Sequence, residues 1–406
     1  MHQIQANAQS LDQAMQQLQQ AIANQNDILN SQNYADANPD KKQAFDQALQ
    51  NADNILDKAT GPNSDKQAVE QAIQAITNTE QALNGAQNLH DAQTQAIQSI
   101  DNAPHLNEQQ KNVLKEKVNQ AQTVAAVTDL QNNADALNTS MEQLKQAIAD
   151  HDTIVADGNY TNASPQEQGA YTDAYQRAQN LINGTPDVII NPADINTATQ
   201  NVNNAEQGLN GNTNLANAKQ EATNALQQMT GLSDAQRQRI QDQIDQAQQL
   251  PDIDTIKSNA GNLNHAMTEL RQEVAKQHDV QASQPYVDAN TSNQDDYNHA
   301  ITNAESIINE TTQPTLNPES VMQALNQIKT STQDLNGVEN LNQAKQTATG
   351  ALQHLSHLNQ AQIDALTRQI DQAPDIATTN KIKQNAESLD NAMNLSLIHI
   401  SEPTRP

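Results

Sequence analysis

The stretch QALNGAQNL, Gln81–Leu89, returns as QGLNGNTNL at Gln207–Leu215 and as QDLNGVENL at Gln333–Leu341, each copy 126 residues after the last. A fixed long period is the strongest constraint on this chain. It requires one structural unit built several times over, not one large core. Leu11, Leu137, Leu263 and Leu389 are equivalent, as are Met15, Met141, Met267 and Met393. So are Tyr34, Tyr160 and Tyr286, and so are Phe45, Tyr171 and Tyr297. Three whole units are present, with the first helix segment of a fourth. Ser396 stands where the other copies have Leu18, Leu144 and Leu270. The repeat is therefore expected to end near Asn394. Residues 395–406, ending in SLIHISEPTRP, resemble a vector-encoded tail. The start, MHQIQANAQSL, has no apolar signal-peptide core, so the chain reads as cytosolic or as a piece of something longer.

Within a unit the apolar residues keep helical spacing. Val127, Leu130, Ala134, Leu137, Met141, Leu144 and Ile148 follow at intervals of three and four, a one-sided helical stripe. Neither Gly nor Pro falls between Gln122 and Asp150. A single helix of about 29 residues, roughly 43 Å long, is expected to run from one bundle into the next. Ser164-Pro165-Gln166-Glu167 reads as a capping box opening the next helix, with Tyr171, Ala174, Ala178, Leu181 and Ile182 inward. Asn191-Pro192 opens a third, with Ile195, Val202 and Leu209 inward. The second half of the unit is shorter. Leu215, Ala218, Ala222 and Leu226 mark one helix. The box Ser233…Gln236, matched by Asn107…Gln110 and Asn359…Gln362, opens another. Pro251 precedes a third carrying Ile253 and Ile256. Each unit thus reads as a long and a short three-helix bundle. From Leu83 to Leu89 the stripe rotates by about 120°. Gly85, Gly211 and Gly337 read there as a helix end or a kink, the kink being preferred. The expected fold class is all-α: tandem three-helix bundles joined end to end by shared helices into an elongated rod.

Composition alone points elsewhere. Leu, Ile, Val and Phe make up less than a fifth of the chain, and the net charge is −27, a pairing typical of disorder. Concentration of the apolar residues on narrow stripes overrules it. Forty-eight acidic against 21 basic residues leave no footprint for nucleic acid and disfavour anionic membranes. No apolar run approaches the roughly 18 residues of a membrane helix, so no membrane insertion is expected in this segment. There are no cysteines, which removes disulfides, thiolate metal sites and thiol catalysis.

The segments ADALNTSMEQLKQAI and GAYTDAYQRAQNLING resemble the FIVAR module, and NLNQAKQTATGALQHLSHLNQAQIDALTRQIDQA resembles the GA module. Their alternation resembles the giant staphylococcal surface proteins built from these two modules. The resemblance covers residues 1 to about 394. It divides the chain into FIVAR-like bundles at 1–83, 131–209 and 257–335, and GA-like bundles at 84–130, 210–256 and 336–394, the last including the start of the next helix. It implies an extracellular, cell-wall-associated segment of a longer protein. The implied partner is host matrix such as fibronectin, held through many weak repeated sites, and the segment is expected to be monomeric. The alternative is a purely structural stalk or envelope tether without a ligand of its own. GA modules that bind albumin carry aromatics near and within their second helix. The matching stretches here, NAPHLNEQQ, MTGLSDAQR and LSHLNQAQI, have none, which argues against albumin.

No catalytic constellation is expected, because nucleophile, base and oxyanion donors are nowhere paired, and no cofactor motif occurs. His354 and His357 have metal-ligand spacing on a helix, but neither recurs in the other units, so a polar loop edge is the favoured reading. The stretch from Asp157, DGNYTNASPQEQ, begins like a calcium loop. It has Asn162 and Gln168 where such a loop needs Gly and Glu. Phe45, Tyr171 and Tyr297 interchange and read as core. Tyr34, Tyr160 and Tyr286 keep their hydroxyl; they read as seals of the bundle end, or else as a repeated contact point. The Met15 series reads as core rather than as a sticky surface. Ligand-binding residues are not assigned.

Overall fold

The computed structural model describes residues 2–401, with side chains described to Ser396. The chain divides at Gly211 into two compact units. In the first, α1 (His2–Ala21), the short α2 (Gln25–Leu29) and α3 (Gln32–Ala35), then α4 (Pro39–Leu56) and α5 (Lys66–Ala82) make a long bundle. Leu18, Phe45, Ala52, Val69 and Ile76 fill its core. A short bundle follows from α6 (Gly85–Asp101), α7 (Glu108–Gln120) and the first half of α8 (Val124–Ala147). The second half of α8 enters another long bundle. After the short α9 (His151–Ala156) and α10 (Gly158–Thr161), it packs with α11 (Pro165–Asn183) and α12 (Pro192–Gln207).

The second unit uses the same parts. α13 (Gly211–Gln227), α14 (Asp234–Gln246) and the first half of α15 (Leu250–Val274) form a short bundle. The rest of α15, the short α16 (Gln277–Ala282) and α17 (Gln284–Val287), α18 (Thr291–Asn309) and α19 (Pro318–Gln333) form a long one. α20 (Gly337–Leu352), α21 (Gln360–Gln372) and α22 (Ile376–Ser401) close the series with a short bundle. Among the described residues there is no strand, and no helix is long and apolar enough to cross a membrane.

The cores do not follow the sequence repeat. One continuous core runs along α8, from Ile100, Leu114 and Val118 in the short bundle to Leu144, Ala178, Ile195 and Val202 in the long one. Along α15 another runs from Leu226, Ile240 and Ile253 to Leu270, Tyr297, Val321 and Ile328. By contrast the core of the first long bundle ends at Leu83. That of the last short bundle is separate from the long bundle before it. Each fully buried Leu or Ile contributes roughly 1.5–3 kcal/mol, so the shared helices carry the strong junctions. The short-to-long junction also has a polar tie. The capping-box glutamines Gln110 and Gln236 are fully buried and donate through Nε2 to the carbonyls of Ile189 and Thr315, each at 2.8 Å.

Several expectations change. The shared helix has 24 residues in α8 and 25 in α15, not about 29. Thr123 caps α8 late, accepting from the Ala126 N–H, and the chain turns into α9 at Asp150. The stretches read as loops between the first two long helices contain short helical turns. At LNG the helix is broken, not kinked: α5 stops at Ala82 and Gly85 is the first residue of α6, with the same break before Gly211 and Gly337. The capping boxes at Asn107, Ser233 and Asn359 are all formed. At Ser164 only half forms. Its Oγ accepts from the Glu167 N–H, but its own N–H goes to Asn210 Oδ1 at 2.9 Å. α22 runs on to Ser401; residues 402–406, the end of the expected tail, lie outside the described residues.

Candidate functional site

The LNG joints carry a network of polar contacts that recurs with the repeat. In the first, Asn84 Oδ1 accepts from the Asn38 N–H at 3.0 Å, and its Nδ2 donates to Asn88 Oδ1 at 3.1 Å. Asn88 Nδ2 in turn donates to the Asp36 carbonyl at 2.8 Å and to Asn38 Oδ1 at 2.9 Å. The Gln32 amide donates to the Gly85 carbonyl, and the Ala86 N–H to Asn33 Oδ1. Asp36 Oδ2 accepts from the Val124 N–H, 88 residues away, at 3.0 Å. That places a carboxylate on the N-terminus of the shared helix, where the dipole favours it. The joint at Asn336 repeats part of the set, with Pro285 in place of Asn33 and Asn340 Nδ2 donating to Asn336 Oδ1 at 3.2 Å. Asn290 N–H donates to Asn336 Oδ1, Asn340 Nδ2 to the Asp288 carbonyl and Asn290 Oδ1, and Gln284 to the Gly337 carbonyl. Asp288 receives the Ile376 N–H.

The glycine is imposed by close approach. A Cβ on Gly85 would lie within 3.0 Å of the Asn33 and Gln32 carbonyl oxygens. On Gly211 it would meet the Asn159 and Gly158 carbonyls, and on Gly337 those of Pro285 and Gln284. At Gly85 and Gly337 only a residue without a side chain lets the new helix seat against the short one.

The tyrosines resolve as seals. Tyr34 donates to Asp46 at 2.8 Å, Tyr160 pairs with Thr172 at 3.1 Å and Tyr286 donates to Asn298 at 3.2 Å. Each stands edge-on to its partner in the second aromatic series, Phe45, Tyr171 or Tyr297. Burial, helped by Asp150 and Glu206, pushes the Tyr171 hydroxyl up to about 12. Burial, helped by Glu273, does the same at Tyr297. Folded values above the unfolded value of about 10 mean that this contribution is complete below pH 10 and lost as pH rises through about 12. The Tyr297 hydroxyl is buried without a hydrogen-bond partner, and Phe45 fills the same place in the first unit. Tyr297→Phe is therefore expected to raise stability by about 1 kcal/mol, read as a higher melting temperature. A loss of that size would show the hydroxyl to be satisfied.

His354 and His357 do not converge on a metal. The His357 N–H and ring Nδ1 meet Asp390 at 2.8 and 3.1 Å, tying α22 to the loop before α21. The same contacts hold the Asp390 carboxyl below the usual range. Asp157 caps α10, accepting from the Asn159 N–H at 2.7 Å. Among the described residues no group of three or more His, Asp or Glu could hold a metal. Met141 and Met267 are fully buried. A polar groove between α18 and α19 is lined by Asp296, His299 and Asn303. The second repeat has Ala170, Asp173 and Arg177 there, so the groove is not a recurring site.

The helical frame, its period and the joint define a class of tandem-bundle repeat protein. The FIVAR domain model matches residues 14–84, 140–210 and 266–336, and the GA module model matches 86–140, 212–266 and 338–392. The chain belongs to the FIVAR-domain family, with a GA module after each FIVAR domain. It is 56% identical over 390 residues, 96% of its length, to the extracellular matrix-binding protein EbhA of Staphylococcus aureus strain Mu3. It is 58% identical over 403 residues, 99% of its length, to the extracellular matrix-binding protein ebh of strain USA300. It spans only 6% and 4% of those proteins. A crystallised domain of Staphylococcus aureus EbhA aligns with a TM-score of 0.58 at 35% identity, covering 61% of this chain and 98% of that one.

Proposed function

We propose that this chain is a repeat segment of a bacterial cell-surface protein that holds host extracellular matrix through many weak, equivalent sites and performs no catalysis. The carrying observation is its match along nearly its whole length to proteins named for matrix binding. The recurrence of one module pair at a fixed interval supports a mechanism of avidity. In this reading the modules divide at the LNG joints near 83, 209 and 335, and within the shared helices near 130 and 256. Fibronectin is the proposed ligand, and the segment acts as a monomer.

Surface plasmon resonance with one repeat and with the whole chain tests the reading. One repeat should bind immobilised fibronectin weakly. The whole chain should bind a dense fibronectin surface about 10²-fold or more tightly than that, with little gain on a monovalent fragment in solution. Binding should weaken with salt if this acidic chain meets basic patches. A second reading, a structural stalk without a ligand, is favoured by the variation of the α18–α19 groove between repeats. It predicts no saturable binding by either protein. Equal, non-saturating signals on fibronectin and an unrelated protein would discard adhesion.

A further inference from the structure

We propose that the Asn–Gly bonds of the joints, Asn84–Gly85, Asn210–Gly211 and Asn336–Gly337, are sites of spontaneous deamidation that the closed joint restrains and an opened joint releases. The main-chain nitrogen after an asparagine can attack the side-chain Cγ. A five-membered succinimide forms and the amide nitrogen leaves as ammonia. Water then opens either carbonyl of the ring, giving aspartate or isoaspartate. No oxidant or further reactant is needed. A following glycine leaves that nitrogen unshielded, which makes Asn–Gly the dipeptide most open to this chemistry.

The joint cannot avoid the dipeptide. Close approach of α3, α10 and α17 imposes the glycine. The clasp imposes an asparagine, whose Oδ1 takes the main-chain N–H of Asn38, Ser164 or Asn290. The same clasp restrains the reaction. Ring closure needs the glycine nitrogen and the asparagine Cβ nearly eclipsed about the Cα–C bond. The ψ angles of 21° at Asn84 and 18° at Asn336 hold them well apart. Both ends of the Asn84 amide are engaged, by Asn38 and Asn88, so Cγ cannot swing towards the glycine. Opening the joint removes both restraints at once.

The product keeps the joint open. Isoaspartate routes the main chain through Cβ and Cγ, adding a methylene just before the glycine that must sit against the short helix. Either product replaces the Asn84 amide, whose Nδ2 donates to Asn88 Oδ1, by a carboxylate that cannot donate. Each joint therefore records its own openings as irreversible chemical change.

The test is peptide mapping by mass spectrometry of the whole chain incubated at mildly alkaline pH, folded and in denaturing urea. The three joint asparagines should convert at least about tenfold more slowly folded than in urea, as expected when reaction needs local opening. Asn88→Ala removes the ties of α6 to Asp36 and Asn38. It should speed conversion at Asn84 several-fold and leave Asn336 unchanged as an internal control, with helicity retained by circular dichroism. Equal rates folded and in urea would overturn the proposal without reference to any variant. So would an Asn84 rate in a folded Asn88→Ala protein no faster than that of Asn336.

Discussion

Leu137→Pro is expected to unfold two bundles with one substitution. Leu137 is fully buried in the middle of α8. The core around it is continuous from Ile100 and Leu114 on one side to Ala178 and Ile195 on the other. Proline in a helix interior removes a ladder hydrogen bond and clashes with the preceding turn, at roughly 3 kcal/mol or more. Loss of the buried leucine adds about 2–5 kcal/mol. Against a total stability of about 5–15 kcal/mol for a domain, little remains. Hydrogen exchange should show protection lost over α6 and α7 and also over α11 and α12. The first long bundle, whose core around Phe45 and Ile76 is separate, should keep its protection. Loss confined to residues after Leu137 would mean that α8 joins two bundles without coupling them.

The coupled pieces, short bundle then long, were half legible in the sequence. The stripe from Val127 to Ile148 crosses the border without changing phase, and 3.6-residue periodicity is a strong signal over that length. The capping boxes were legible because they are four-residue patterns whose partners lie three residues apart. The short helices α3, α10 and α17 were not, because four residues carry no period. The joint itself is not legible. LNG reads as a kink because the phase slip is visible along the chain, whereas its partners are not. Asn84 answers Asn38, and Asp36 answers Val124 across 88 residues. No local pattern marks such a pair. Ser164 shows the same limit, since the N–H that Glu167 was expected to satisfy is taken by Asn210. The tyrosine hydroxyls could be read only as needing some partner. Which one, Asp46, Thr172 or Asn298, depends on the packing of a neighbouring helix.

Gly85→Ala should destabilise the joint although helix propensity argues the opposite. Gly85 opens α6, and alanine is the better helix former by about 1 kcal/mol. The added Cβ, however, must fit against the carbonyl oxygens of Asn33 and Gln32. These belong to the backbone of α3 and cannot rotate away as a flexible side chain can. Overpacking of this kind costs about 1–3 kcal/mol, so the clash wins. Gly169, in the exposed interior of α11, is the control, because a Cβ there meets nothing within 4 Å. Gly169→Ala should therefore stabilise its bundle by roughly 0.5–1 kcal/mol. In the Gly85→Ala protein the Asn38, Ala86 and Val124 amides, which donate to Asn84, Asn33 and Asp36, should exchange faster. The core amides around Phe45 and Leu114 should hold, because the two cores do not merge across this joint. Unchanged exchange at the three joint amides would show that α3 yields to the methyl group. A collapse of either core would show that the joint belongs to a bundle rather than lying between two.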